Sequence, residues 1–148
     1  MWLFLCNGCL CYGRVTFFMA EMSDYLENKI LDYVLRNTAD WAPAAVWTAL
    51  HTASPDDDES GAEVSAGGYT YARQNTAFDA AHATTGVTQN SAIETWTNLP
   101  ACTVTHIGIW DAETSGNLLF HTAVNSSKTV ANGDTISIAV GAITVTLA

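Results

Sequence analysis

After Pro43 the chain is a succession of short β-prone segments, most of them closed by a turn signal, and this pattern restricts the fold more than any other feature of the sequence. The expected strands cover 45–52, 69–75, 76–80, 91–96, 103–110, 117–124, 134–140 and 142–147, all rich in β-branched and aromatic residues. Between them lie Gly67-Gly68, Thr85-Gly86, Asn98-Leu99-Pro100, Thr114-Ser115-Gly116 and Asn132-Gly133-Asp134. No segment beyond Pro43 carries a helical period. About seven or eight short strands at this spacing predict a mainly β fold, an antiparallel β-sandwich with one N-terminal α-helix.

Alternation assigns the faces. Ile136, Ile138 and Val140 alternate with Ser137 and Ala139, and then Ile143, Val145 and Leu147 alternate with Thr144 and Thr146. The parity switches at Gly141, which reads either as a hairpin turn with Ala142 or as a bulge in one long strand. Both parities of 103–110 are largely apolar, so that strand is expected at the centre of a sheet.

The helix is expected over 23–37. Ser23 or Asp24 can accept the free amide protons of its first turn, and Glu27 stands where a capping box would place an acid. Tyr25, Leu26, Ile30, Tyr33 and Val34, with Leu31 beside them, recur at three- and four-residue spacing and form one apolar stripe. The stripe packs on the domain or docks another subunit, and Tyr25 and Tyr33 are its candidate partner-binding residues. Asn37-Thr38 ends the helix and Pro43 blocks its resumption.

At 148 residues the chain has the size of one domain, and 49% hydrophobic against 14% charged residues is enough apolar surface to order it. Residues 1–21 read as an atypical leader, either upstream of the true start or disordered, and 22–148 as a single domain, with the helix at 23–37 and the sandwich over 44–148. The leader holds Cys6, Cys9 and Cys11, and its early basic residue, Arg14, follows the apolar run instead of preceding it, which disfavours a signal peptide. Cys6-Asn7-Gly8-Cys9 lacks a second ligand pair at zinc spacing, so neither metal nor redox use is expected there. The compositional break predicts translation from Met19 or Met22. A net charge of −10 disfavours direct nucleic-acid or membrane-surface binding, and no apolar run is long enough to span a bilayer.

Candidate chemistry is sparse. Asp56-Asp57-Asp58-Glu59 is the longest charge run, and without a calcium-loop spacing it reads as a solvated loop and a candidate partner-binding segment. The loop 53–68 is not obviously required by the β core. Arg73 stands alone as a basic residue between Arg36 and Lys128, so it pairs either with an acid of the 56–63 segment or with a partner's carboxylate. His106 and His121 fall on neighbouring expected strands, with Asp111 the nearest third ligand in sequence, yet satisfied sheet histidines are commoner and no metal or cofactor is expected. Neither a nucleophile motif nor a phosphate loop is present, so no enzyme is expected.

From the helix onward an ordered set of segments resembles a family of small tailed-phage virion proteins, described as tail-fibre-like or head-decoration proteins. The set comprises Tyr25-Leu26-Glu27-Asn28-Lys29-Ile30-Leu31, Val46-Trp47-Thr48-Ala49-Leu50-His51-Thr52-Ala53-Ser54-Pro55, Glu63-Val64-Ser65-Ala66-Gly67-Gly68-Tyr69 and Tyr71-Ala72-Arg73-Gln74. It continues with Thr105-His106-Ile107-Gly108-Ile109-Trp110-Asp111-Ala112, Gly116-Asn117-Leu118-Leu119 and Gly133-Asp134-Thr135. Thr70 stands as an insertion, and residues 1–21 have no counterpart. The resemblance implies a non-enzymatic virion building block, a homo-oligomer that binds the major capsid protein or other virion proteins. A short chain without fibrous repeats or heptads favours a capsid cement protein that stabilises the shell over a tail-fibre or baseplate component. A second alternative is a carbohydrate-binding β-sandwich using Trp41, Trp47, Trp96 and Trp110 as stacking faces.

Overall fold

The computed structural model describes residues 11–13, 21–38 and 41–147. Cys6, Cys9 and Met19 lie outside the described residues. Chain order is β1 (Cys11–Gly13), β2 (Glu21–Met22), α1 (Asp24–Arg36), β3 (Val46–His51), β4 (Gln74–Thr76) and β5 (Val87–Gln89). It continues with β6 (Glu94–Leu99), β7 (Cys102–Trp110), β8 (Leu118–Val130), β9 (Asp134–Ile138) and β10 (Thr144–Thr146). The largest sheet has the order β2-β8-β7-β3-β4, a second has β1-β9-β6, and β10 pairs with β5. Every pairing among the described residues is antiparallel except β1 with β9.

The sandwich expected from the strand pattern is present. One face of the largest sheet contributes Leu50, Val104, Ile107 and Ile109 to the larger of two hydrophobic clusters among the described residues, the smaller being Ala49, Trp110 and Leu118 on the other face. The larger also holds Trp96, Leu99 and Ile138 of the second sheet, Ile143 and Val145 around β10, and Leu26 of the helix. Strand β7 is flanked by β8 and β3, the central position its two apolar faces require.

Helix α1 starts where its cap dictates. Ser23 Oγ accepts from Leu26 N–H at 3.3 Å and donates to Leu118 O, which ties the helix start to β8. With Ser23 as the cap, the third helical position is Leu26, so Glu27 is not a capping-box partner and only complements the helix dipole. Asn37 closes the helix with φ 55°. The single stripe expected on this helix divides in two. Leu26 is buried and Tyr25 and Ile30 pack on the core, whereas Leu31, Tyr33, Val34 and Leu35 are exposed by 55 to 75%.

Several strand boundaries differ from the expected ones for local reasons. Residues 69–73 are not strand, because Tyr71 and Arg73 turn inward to make side-chain hydrogen bonds. β5 was not expected and is three residues long. β6 starts at Glu94 instead of Ser91, since buried Asn90 stands in for strand pairing: it accepts from Ile143 N–H and donates to Ala92 O and Ala139 O. β8 runs on to Val130 through the polar stretch 125–129, held by backbone pairing with Cys102 to Val104. At Gly141 neither the hairpin nor the bulge forms. The chain turns there with φ 69° and passes from β9 in one sheet to β10 in another, leaving Val140 54% exposed.

Candidate functional site

The second face of the largest sheet carries most of the polar chemistry among the described residues. Direct opposition places Trp47 against Trp110, Ala49 against Gly108 and His51 against His106 across β3 and β7, then Gly108 against His121 across β7 and β8. Residues paired in this way share a face. His106 and His121 therefore stand diagonally on one surface, as their adjacent strands suggested.

The acidic loop after β3 folds over this face and is not simply solvated. Asp57 Oδ1 meets His121 Nε2 at 3.0 Å, and Glu59 accepts from Leu118 N–H at 2.7 Å. Asp58 accepts from Ser60 N–H at 3.1 Å, and hydrogen bonding from Ser60, first its side chain and then its backbone, lowers the Asp58 carboxyl, while Asp56 is exposed with φ 51°. Gly61 closes the loop where a side chain has no room, because a Cβ there would lie 1.9 Å from Pro55 Cα. The sheet thus carries this loop as a cover.

Arg73 anchors the far side of the cover. Its guanidinium donates to both oxygens of Glu63, the shortest bond being 2.8 Å, and to the carbonyls of Ala112 at 3.0 Å and Ser115 at 2.7 Å. It also stacks 3.8 Å from the Trp110 ring centroid. Of the two pairings open to Arg73 in the sequence, the internal one forms, and the arginine side chain is 7% exposed. Tyr71 Oη joins the cluster by donating to Glu63 Oε1 at 2.9 Å, and burial followed by the charge of Glu63 pushes its phenol well up.

His51 is fully buried and stacks parallel to Trp110, with ring centroids 6.1 Å apart. Neither of its nitrogens has a hydrogen-bond partner among the described residues, and burial pushes it down to about 4. Gly108 makes the space between them: a Cβ there would stand 3.0 Å from both His51 Nε2 and Trp110 Nε1. His106 is also lowered, by burial and then by His121. Glu94, on the other sheet, is raised by burial.

Asp111 is not the third group beside His106 and His121. Its carboxylate accepts from the backbone and side-chain amides of Asn117, both at 2.7 Å, and closes the β7–β8 turn. The acids brought to His121 are Asp57 and Glu21, the latter 4.0 Å from Nε2. Sequence reasoning missed Glu21 because it placed that residue in the leader, whereas Glu63 is the member of the expected 56–63 acidic segment that pairs with Arg73. Tyr25 is half-buried with Lys29 Nζ 5.4 Å from its ring centroid, and Tyr33 lies exposed near the helix end. Trp96 and Trp110 are buried and offer no stacking face to a sugar, which removes half of the aromatic set proposed for glycan binding.

No helix among the described residues is long and apolar enough to cross a membrane. A family model described as podophage GP4 fiber I protein gp80 matches residues 21–146. No curated protein matches the chain.

Proposed function

Because the chain belongs to the podophage GP4 fiber I protein gp80 family, and so is a phage structural protein, we propose that it is a non-enzymatic component of the tail fibre. The family assignment carries this reading and favours the fibre over the capsid cement role that chain length had suggested. The architecture is compatible with it: charged groups on the covered sheet face are consumed in holding the acidic loop, while the outward helix face is left apolar.

Leu31, Val34 and Leu35 recur at i, i+3 and i+4 on α1, the spacing of a helix face that lies in a groove. Each is more than half exposed, whereas Tyr33, also exposed, stands two residues from Leu31 and points away from this face. In this proposal the patch is the contact to another virion subunit, whether a second copy or a neighbouring fibre protein. The test is gel densitometry of purified virions. A fibre part is expected at a small fraction of the major capsid protein's copy number; near-equal copy number would instead restore the cement reading.

A further inference from the structure

We infer that Glu21, Asp57 and His121 form a binding site for a divalent first-row transition cation, with Zn2+ as the fitting probe. Three separate parts of the chain supply the ligands: Glu21 from the short edge strand β2, Asp57 from the loop that covers the sheet, and His121 from β8. One ligand atom from each lies within 4.8 Å of the other two. Glu21 is directly opposed to His121 in the β2–β8 register, so the two side chains share a sheet face and are held together by the ladder.

The distances suit a metal. Ligands about 2.0–2.2 Å from a tetrahedral zinc sit roughly 3.4 Å from one another. His121 Nε2 stands 3.0 Å from Asp57 Oδ1 and 4.0 Å from Glu21 Oε2, values that bracket that separation. Loop and edge-strand carboxylates are exposed and can close the remaining gap by rotation, whereas His121 is 4% exposed and fixed by the sheet. A rigid imidazole with two adjustable carboxylates is a mixed N/O set, which suits zinc and its neighbours better than Mg2+ or Ca2+, whose ligands are all oxygen. Two carboxylate charges balance the cation, and the remaining coordination position is open to solvent. Bound metal would staple the loop and the N-terminal strand to β8, reinforcing the Asp57 and Glu59 contacts of the loop and the two-residue ladder of β2.

The test is thermal unfolding and calorimetric titration of the full chain with ZnCl2. At a hundredfold excess over the dissociation constant, Zn2+ should raise Tm by roughly 5 to 10 °C. Glu21→Gln and Asp57→Asn should each weaken Zn2+ binding by about tenfold or more, since even groups that only orient a ligand cost that much. Both are conservative replacements at exposed sites, so they keep the test valid if His121→Asn does not fold. His82→Ala, at an exposed histidine elsewhere, should leave the titration unchanged. Zn2+ binding that survives both carboxylate variants would place the metal on cysteines or other surface groups and overturn the assignment. An equal Tm rise with Mg2+ would overturn the choice of metal class.

Discussion

Replacing Arg73 by Ala should unseat the cover over the histidine face. The substitution removes a forked ion pair to Glu63, two hydrogen bonds to the Ala112 and Ser115 carbonyls, and a cation 3.8 Å from the Trp110 ring centroid. Breaking a fully buried pair by deleting one partner costs about 3–5 kcal/mol, largely because the other charge is left without compensation. Glu63 retains 27% of its side-chain exposure, so water recovers part of that loss and about 2–4 kcal/mol is expected. For a chain of this size that is a fall in Tm of roughly 10 °C. Arg73→Lys keeps the charge but not the fork that reaches Glu63 and two carbonyls together, and should recover less than half of the loss. The assay is urea unfolding of the parent, Arg73→Ala, Arg73→Lys, Glu63→Gln and the Arg73→Ala/Glu63→Gln double variant. A coupling energy of about 1–3 kcal/mol is expected for groups in direct contact. Zero coupling, or an Arg73→Ala protein as stable as the parent, would refute the view that this arginine holds the loop.

His51 has a folded pKa of about 4 against an ordinary 6.5, so its neutral form belongs to the folded state and the unfolded chain takes up the proton first. Its contribution is complete above the ordinary value and declines as pH falls towards 4, by about 3 kcal/mol across that window. The raised carboxyl of Glu94 acts in the opposite sense, because folding is relieved of a buried charge as that group protonates. Comparing urea midpoints of parent and His51→Asn between neutral pH and pH 4 isolates the histidine, and the variant should show the shallower acid-side decline. Ser23→Ala removes a helix cap and a donor to Leu118 O, and should cost about 1–2 kcal/mol by denaturant titration. Converting Leu31 and Leu35 to Ser should change stability by no more than about 0.5 kcal/mol, since both are solvent-exposed, while lowering incorporation into particles as read by immunoblot of purified virions.

What could be read from the sequence was what is encoded locally. The helix declares itself through Ser23, its apolar spacing and Asn37, all within fifteen residues of one another. β7 declares itself through apolar residues on both faces, and it lies centrally for that reason. Local signals fail where a side chain replaces the ladder. Asn90 joins the Ala139 and Ile143 segments to the start of β6, and nothing in the residues beside it announces that role. The polar end of β8 has no alternation to reveal it, because its partner is the backbone of β7. The covered face was hidden for a similar reason. Asp57 and His121 are 64 residues apart and Arg73 and Ser115 are 42 apart, so only the sheet register brings them together. Acidic residues that look solvated in the sequence become anchors once a loop has a face to close on.

The most direct test of the tail-fibre assignment is gold-labelled antibody against this chain on intact virions, imaged by electron microscopy. A fibre component is expected to gather label at the tail and to leave the shell bare. Label spread evenly over the capsid would contradict the tail-fibre reading.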